Sequence, residues 1–105
     1  MWPTANIGLA TGAKSRCWVL DVDPQKLGNE SLEIIRPLLP NIAETLCAWT
    51  GGGGLHFYFT YPTDGTAVRN KQAVWPGIDI RGEGGYVVAP PSLHRTGLRY
   101  EWLKG

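Results

Sequence analysis

Trp18-Val19-Leu20-Asp21-Val22-Asp23-Pro24 is the stretch on which the fold turns. Side chains alternate across a β-strand, so Trp18, Leu20 and Val22 fall on one face and Val19, Asp21 and Asp23 on the other. One row is apolar and buries; the other keeps two carboxylates together. Pro24 has no N–H to give to a ladder and stops the strand, which is therefore read over 17–23.

Two later segments repeat the pattern. Leu55 to Tyr61 sets His56, Tyr58 and Thr60 opposite Leu55, Phe57, Phe59 and Tyr61, and Ile78-Asp79-Ile80-Arg81 sets Asp79 and Arg81 opposite two isoleucines. If the three strands share one sheet, its open face presents three carboxylates, an imidazole and a guanidinium, with the isoleucines buried against a helix. The one good helical period is 28–36: Asn29 as N-cap, acids in the first turn, Leu32 and Ile35 three apart, and an end near Arg36 because Pro37 and Pro40 follow. Further strands are expected at 6–10, 44–50, 86–89 and 99–103, with 62–76 polar and irregular. The fold class is α+β: a mainly antiparallel sheet of about seven short strands with one principal helix packed on one face.

The chain has 105 residues, 43% of them hydrophobic, enough for a single domain over 1–105. Fourteen glycines and eight prolines imply many turns without reaching the composition of a disordered chain. Ten basic residues against nine acidic leave a net charge of +1, so no global field gathers nucleic acid or a membrane surface, and any polyanion is bound locally. The apolar runs fall far short of the ~18 residues a bilayer span needs, and the first fifteen residues hold no secretory h-region, so no membrane partner and a cytoplasmic location are expected. Cys17 and Cys47 make neither a disulfide framework nor, with His56 or His94, a zinc motif, and are read as reduced, buried thiols.

Carboxylates gathered as Asp21, Asp23 and Asp79 must either hold protons or hold cations. Oxygen-only ligands suit Mg²⁺ or Mn²⁺, which complete their shells with water and phosphate oxygens. The plainer reading of Asp-x-Asp before a proline is two solvated residues that help make a turn. Gly51-Gly52-Gly53-Gly54 can aim successive N–H groups at an anion, or can be a slack hairpin loop; no Gly-Lys-Ser/Thr follows, so it is not a P-loop. His56 is placed to add a donor to the same anion, or is a structural histidine, and Arg81 is placed to neutralise substrate charge. Arg95 and His94 read as loop residues. Trp2, Trp49, Trp75 and Trp102 either stack on bases or belong to the core and its rim.

Taken in order, these residues resemble the catalytic core of the bifunctional DNA primase/polymerase domain, a branch of the archaeo-eukaryotic primase superfamily. Residues 2–8 with Thr11-Gly12 resemble its entry strand, and Leu20-Asp21-Val22-Asp23 its acid-x-acid motif. The stretch 50–59, TGGGGLHFYF, resembles the motif whose histidine contacts the incoming phosphates. Gly77 to Gly82 and Tyr86 to Ser92 resemble the motif whose acid completes the metal site, and Tyr100-Glu101-Trp102 the closing strand. The resemblance implies an RRM-like sheet, the catalytic core of the primase fold, with the site on its face. Two departures from the family's pattern are expected: a lack of the basic segment usual before the position of Trp2, and the loss of a serine contact, since the serine of Ser-x-His is replaced in Gly54-Leu55-His56.

The reaction so implied is template-directed nucleotidyl transfer from a nucleoside triphosphate to a primer 3′-hydroxyl. Asp21, Asp23 and Asp79 are the catalytic metal ligands, and Gly52, Gly53, Gly54, His56 and Arg81 the nucleotide-binding residues, with Mg²⁺ or Mn²⁺ as cofactor. The implied partners are a DNA template and primer and a helicase domain elsewhere in a larger parent chain. A non-catalytic nucleotide or nucleic-acid binding module, and a metal-dependent nuclease using the same carboxylates, are the alternatives.

Overall fold

Strand β2 (Cys17–Val22) is the organising element of the computed structural model, which describes residues 7–39, 41–94 and 96–104. It lies inside a six-stranded antiparallel sheet of order β5-β6-β2-β4-β3-β8, with β3 at Leu46–Trp49, β4 at Leu55–Thr60, β5 at Lys71–Trp75, β6 at Ile78–Arg81 and β8 at Glu101–Lys104. Strand β1 (Ile7–Ala10) and strand β7 (Tyr86–Ala89) form a separate antiparallel pair. From β2 the chain passes through helix α1 (Gly28–Ile35) to β3, leaving room for β4 between them, which makes a split β-α-β unit.

Alternation decides what each strand buries. Leu20 and Val22 of β2, Phe57 of β4, Ile78 of β6 and Cys47 of β3 form one core cluster with Leu32 and Ile35 of α1 and Ile42. Trp18 stacks on Phe59 at the edge of that cluster, ring centroids 4.5 Å apart. The apolar rows read from the sequence, Tyr61 apart, therefore face the helix.

The opposite face is not open, which corrects the expectation. Val19, Ala48 and Tyr58 form a second buried cluster under Val87 of β7, with Leu9 of β1 and Leu46 packed beside it. The β1–β7 ribbon thus roofs part of the face. The cause is apolar: Val19 on the polar row of β2 is fully buried and needs a cover that a solvated face would not give.

Three further details differ from the sequence reading. The helix begins one residue before the proposed cap: Leu27 stands at the N-cap with φ 70° and gives no side-chain hydrogen bond. Gly28 follows because a Cβ there would come 2.5 Å from the Asp23 carbonyl oxygen, and Gly77, at φ 75°, packs its backbone against Gly28 for the same reason. Strand β5 lies in the stretch expected to be irregular; its polar residues hide the strand, and its pairing with β6 is interrupted by an irregularity between Lys71 and Trp75. Asn6, where the first strand was expected to begin, Trp2 and Arg95 lie outside the described residues. Among the described residues no helix is long and apolar enough to cross a membrane.

Candidate nucleotide and metal site

In register, Asp21 of β2 is opposite Asp79 of β6 on one side and His56 of β4 on the other, and His56 is opposite Ala48 of β3. Direct cross-strand partners share a face with Cβ atoms ~5 Å apart, so Asp79, Asp21 and His56 form one continuous row. The next row, two residues along, is Arg81, Val19 and Tyr58. Val19 and Tyr58 are roofed by the ribbon, so the functional row lies where the roof ends.

The side chains meet. His56 Nε2 lies 3.3 Å from Asp21 Oδ1, and one guanidinium nitrogen of Arg81 lies 3.2 Å from Asp79 Oδ2 and 3.7 Å from Asp21 Oδ2. Asp79 Oδ1 accepts from the Ala73 N–H at 2.8 Å. Ala73 adopts the left-handed region, φ 52°, in the irregular part of β5, and it is this backbone turn that aims its amide at the carboxylate. His56 is buried, and its Nδ1 has no partner among the described residues. Small Ala48, fully buried, is the neighbour on its other side.

Asp23 lies just beyond the end of β2. It caps the short 3-10 helix Pro24–Lys26, its Oδ1 accepting from the Gln25 N–H at 3.0 Å. The turn-forming reading of Asp-x-Asp-Pro therefore describes this residue's present contact. Asp21, Asp23, Asp79, His56 and Arg81 all line one cleft of about 500 Å³, together with Gly52 and Gly54. Gly53 is exposed and outside the lining. Asp21, His56 and Arg81 also line a second recess of about 420 Å³ on the ribbon side, with Asn70, Tyr86 and Tyr100.

The chemistry of the donor set suits a hard divalent cation: Asp21 and Asp79 are adjacent carboxylates, each about three-quarters buried, and Asp23 stands at the mouth of the same cleft. Among the described residues, however, no group of three or more His, Cys, Asp or Glu is drawn together tightly enough to hold a metal ion. Arg81 supplies the counter-charge to both acids instead.

The glycine loop does several jobs. The Gly54 N–H donates to Thr50 Oγ1 at 3.1 Å and the Thr50 N–H to the Gly54 carbonyl at 3.1 Å, so Gly54 closes the loop on itself. Gly51, at φ 82°, and Gly52 have no room for a Cβ, which would come 2.7 and 2.8 Å from the His94 side chain. The Gly52 and Gly53 amides have no acceptor among the described residues.

His94, read as a loop residue, thus belongs to the cleft, as do Lys26, Thr96 and Tyr100. The Tyr100 ring stands between the two histidines, 6.3 Å from His56 and 5.7 Å from His94. Local sequence carries no signal for this. Leu93 and Arg99 pair across a turn that closes at Gly97, and only the tertiary fold brings that hairpin over residue 51.

The sequence model of the family described as bifunctional DNA primase/polymerase, N-terminal, matches residues 1–105. The chain belongs to this family. No curated protein matches it closely. Membership gives the prim-pol domain its function at the level of the family, DNA primase/polymerase activity in replication, which is nucleotidyl transfer. It also gives meaning to adjacent hard-oxygen ligands, because prim-pol enzymes work with divalent metals.

Proposed function

We propose that this domain transfers nucleotides from a nucleoside triphosphate to the 3′-hydroxyl of a DNA primer, with Asp21, Asp79 and Asp23 as catalytic ligands of Mg²⁺ or Mn²⁺. The observation that carries the reading is the cross-strand row Asp79–Asp21–His56, which sets two carboxylates side by side and an imidazole beside them in a cleft large enough for a nucleotide. The split β-α-β order of the central strands also supports the RRM-like core that the reading requires.

Divalent metal bound there would supply charge stabilisation at the transferring phosphate and lower the pKa of the attacking hydroxyl. The residues of the chain divide the remaining work. Asp21 and Asp79 would hold the cation, with Asp23, at the mouth of the same cleft, as its third carboxylate. His56, fixed through Nε2 by Asp21, orients phosphate oxygens together with the Gly52 and Gly53 amides. Arg81, in contact with both acids and lining the same cleft, offsets their charge and is placed to meet the triphosphate. DNA template and primer are partners of this reading, as is a helicase in a longer parent chain.

Asp21→Asn tests it, since the amide keeps the shape and removes the anionic ligand. Mn²⁺- or Mg²⁺-dependent extension of a labelled primer is expected from the parent sequence and lost in the variant, with an unchanged circular dichroism spectrum. Triphosphate binding without extension in any metal would favour instead the non-catalytic nucleotide-binding module, to which the Arg81 contact with both acids lends support. Primer shortening without triphosphate would favour a nuclease.

A further inference from the structure

The cleft has two chemically different ends. At one, Asp21, Asp79, His56 and Arg81 contact one another. At the other, His94 lies along the Gly51–Gly52 backbone with Thr96 and Thr50 beside it, and Lys26 lines the same space without an acid partner among the described residues. The acid beside this second end is Asp23, which caps the turn that carries Lys26 and has its Oδ1 engaged by the Gln25 N–H; the Gly52 and Gly53 amides there have no acceptor among the described residues.

The protonation pattern of His94 is fixed by its neighbours. Its Nδ1 accepts from the Thr96 N–H at 3.1 Å, which needs the lone pair of that nitrogen. Thr96 Oγ1 also lies 3.0 Å from Nδ1, but this hydroxyl donates its own proton to the Gly51 carbonyl, at 3.0 Å. A neutral imidazole with Nδ1 as acceptor carries its proton on Nε2. That Nε2–H belongs to the ring edge lying over Gly52, whose absent Cβ would come 3.0 Å from it. The hairpin therefore presents one fixed donor, next to the Gly52 amide, in a cleft that already holds a lysine.

We propose that His94 is a second phosphate-binding imidazole: its Nε2–H, with the Gly52 amide and Lys26, grips the distal phosphates of the nucleoside triphosphate and of the departing pyrophosphate. The inference rests on the nucleotidyl-transfer reading and adds the end of the cleft at which the polyphosphate chain terminates. It also assigns the first two loop glycines a specific task. They lack side chains so that the imidazole can lie on the loop backbone and share an anion with it. A donor whose ring accepts from the Thr96 N–H, with Thr96 itself tied to the Gly51 carbonyl, loses little freedom when the anion arrives, which is what makes a fixed imidazole better here than a mobile lysine alone.

The test is calorimetric titration of the whole chain with inorganic tripolyphosphate and, separately, with dATP, each with Mn²⁺, for the parent sequence and for His94→Leu and His94→Gln. Leucine keeps bulk over Gly52 without a donor; glutamine returns an N–H near the position of Nε2. The expected result is binding of both ligands by the parent, a tenfold to hundredfold loss for both in His94→Leu, as for a hydrogen bond to a charged group, and recovery of most of it in His94→Gln. Parent-like affinity in His94→Leu overturns the assignment and leaves the nucleotidyl-transfer reading standing; so does an equal loss in both variants, which marks a packing role. A parent chain that binds neither ligand overturns both. Should either variant fail to fold, the parent alone decides: the chain has only two histidines, and the His94 Nε2–H resonance must move on adding tripolyphosphate. A stationary resonance overturns the proposal.

Discussion

His56 and Asp21 are direct register partners on β4 and β2, and the imidazole Nε2 stands 3.3 Å from the carboxylate Oδ1. The pairing holds the ring through Nε2, the nitrogen on the Asp21 side of the cleft, while Nδ1 is buried and without a protein partner among the described residues. An imidazole in this position is oriented before substrate arrives. His56→Ala removes that group and leaves Asp21 to Arg81 alone. Loss of one such oriented donor is expected to lower primer extension by about 10² to 10³-fold, with dATP affinity reduced in calorimetry. Parent-like affinity and extension would return His56 to a structural role.

Arg81 is the second group whose removal is informative, because it contacts both Asp21 and Asp79. Like charges directly opposite on adjacent strands destabilise a sheet. Arg81→Ala should therefore lower the melting temperature in metal-free buffer by an amount matching about 1 kcal/mol, and millimolar Mn²⁺ should restore more of it than it adds to the parent. Equal Mn²⁺ shifts in the two proteins would mean that the acids do not share a cation.

The fit of the glycine loop against the 93–99 hairpin makes a prediction about packing. A methyl group on Gly52 meets the His94 ring at 2.8 Å, so Gly52→Ala must displace either the loop or the hairpin, at a cost of about 1 to 3 kcal/mol. Deleting the ring removes the clash. In a double-mutant cycle by urea denaturation, Gly52→Ala should cost markedly less in a His94→Ala background, with a coupling of at least about 1 kcal/mol. Additive effects would show that the two residues do not touch in solution.

What could be read in advance was whatever repeats along one strand. Alternation alone placed Leu20 and Val22 with Phe57 and Ile78, and Asp21 with His56 and Asp79, because period two is a local property. It also found α1 from Leu32 and Ile35, and missed Leu27 as the N-cap because a left-handed leucine has no sequence signature. The β1–β7 roof was invisible for a different reason. Val19 sits on the row counted as polar, and nothing local says that its burial needs a second layer. Strand β5 was lost because Lys71-Gln72-Ala73 is exposed on both faces and joins the ladder only by its backbone. His94 has no local signal as a cleft residue because the loop it packs on, at Gly51 and Gly52, lies more than forty residues away.

The roof carries the last prediction, through Tyr58. This side chain is buried under Val87, its hydroxyl has no partner among the described residues, and Trp102 lies against it with ring centroids 5.3 Å apart. Burial, reinforced by repulsion from Cys17, Cys47 and Tyr100, pushes its pKa up to about 12. In the unfolded chain a tyrosine ionises near 10. Below that value both states carry the proton and Tyr58 adds no pH dependence. Between about 10 and 12 the unfolded state has lost the proton while the folded state keeps it, so stability falls as pH rises, by about 2 to 3 kcal/mol in total. Phenylalanine cannot ionise, and replacing an unpaired buried hydroxyl with hydrogen is close to neutral or stabilising at pH 7. The difference in urea unfolding free energy between Tyr58→Phe and the parent isolates this residue from the other tyrosines and the lysines. It should stay constant up to about pH 9.5 and then grow in favour of the variant, by about 1 kcal/mol near pH 11. Parallel curves through that range would mean that Tyr58 is solvated, and hence that β7 does not close over Val19 and Tyr58.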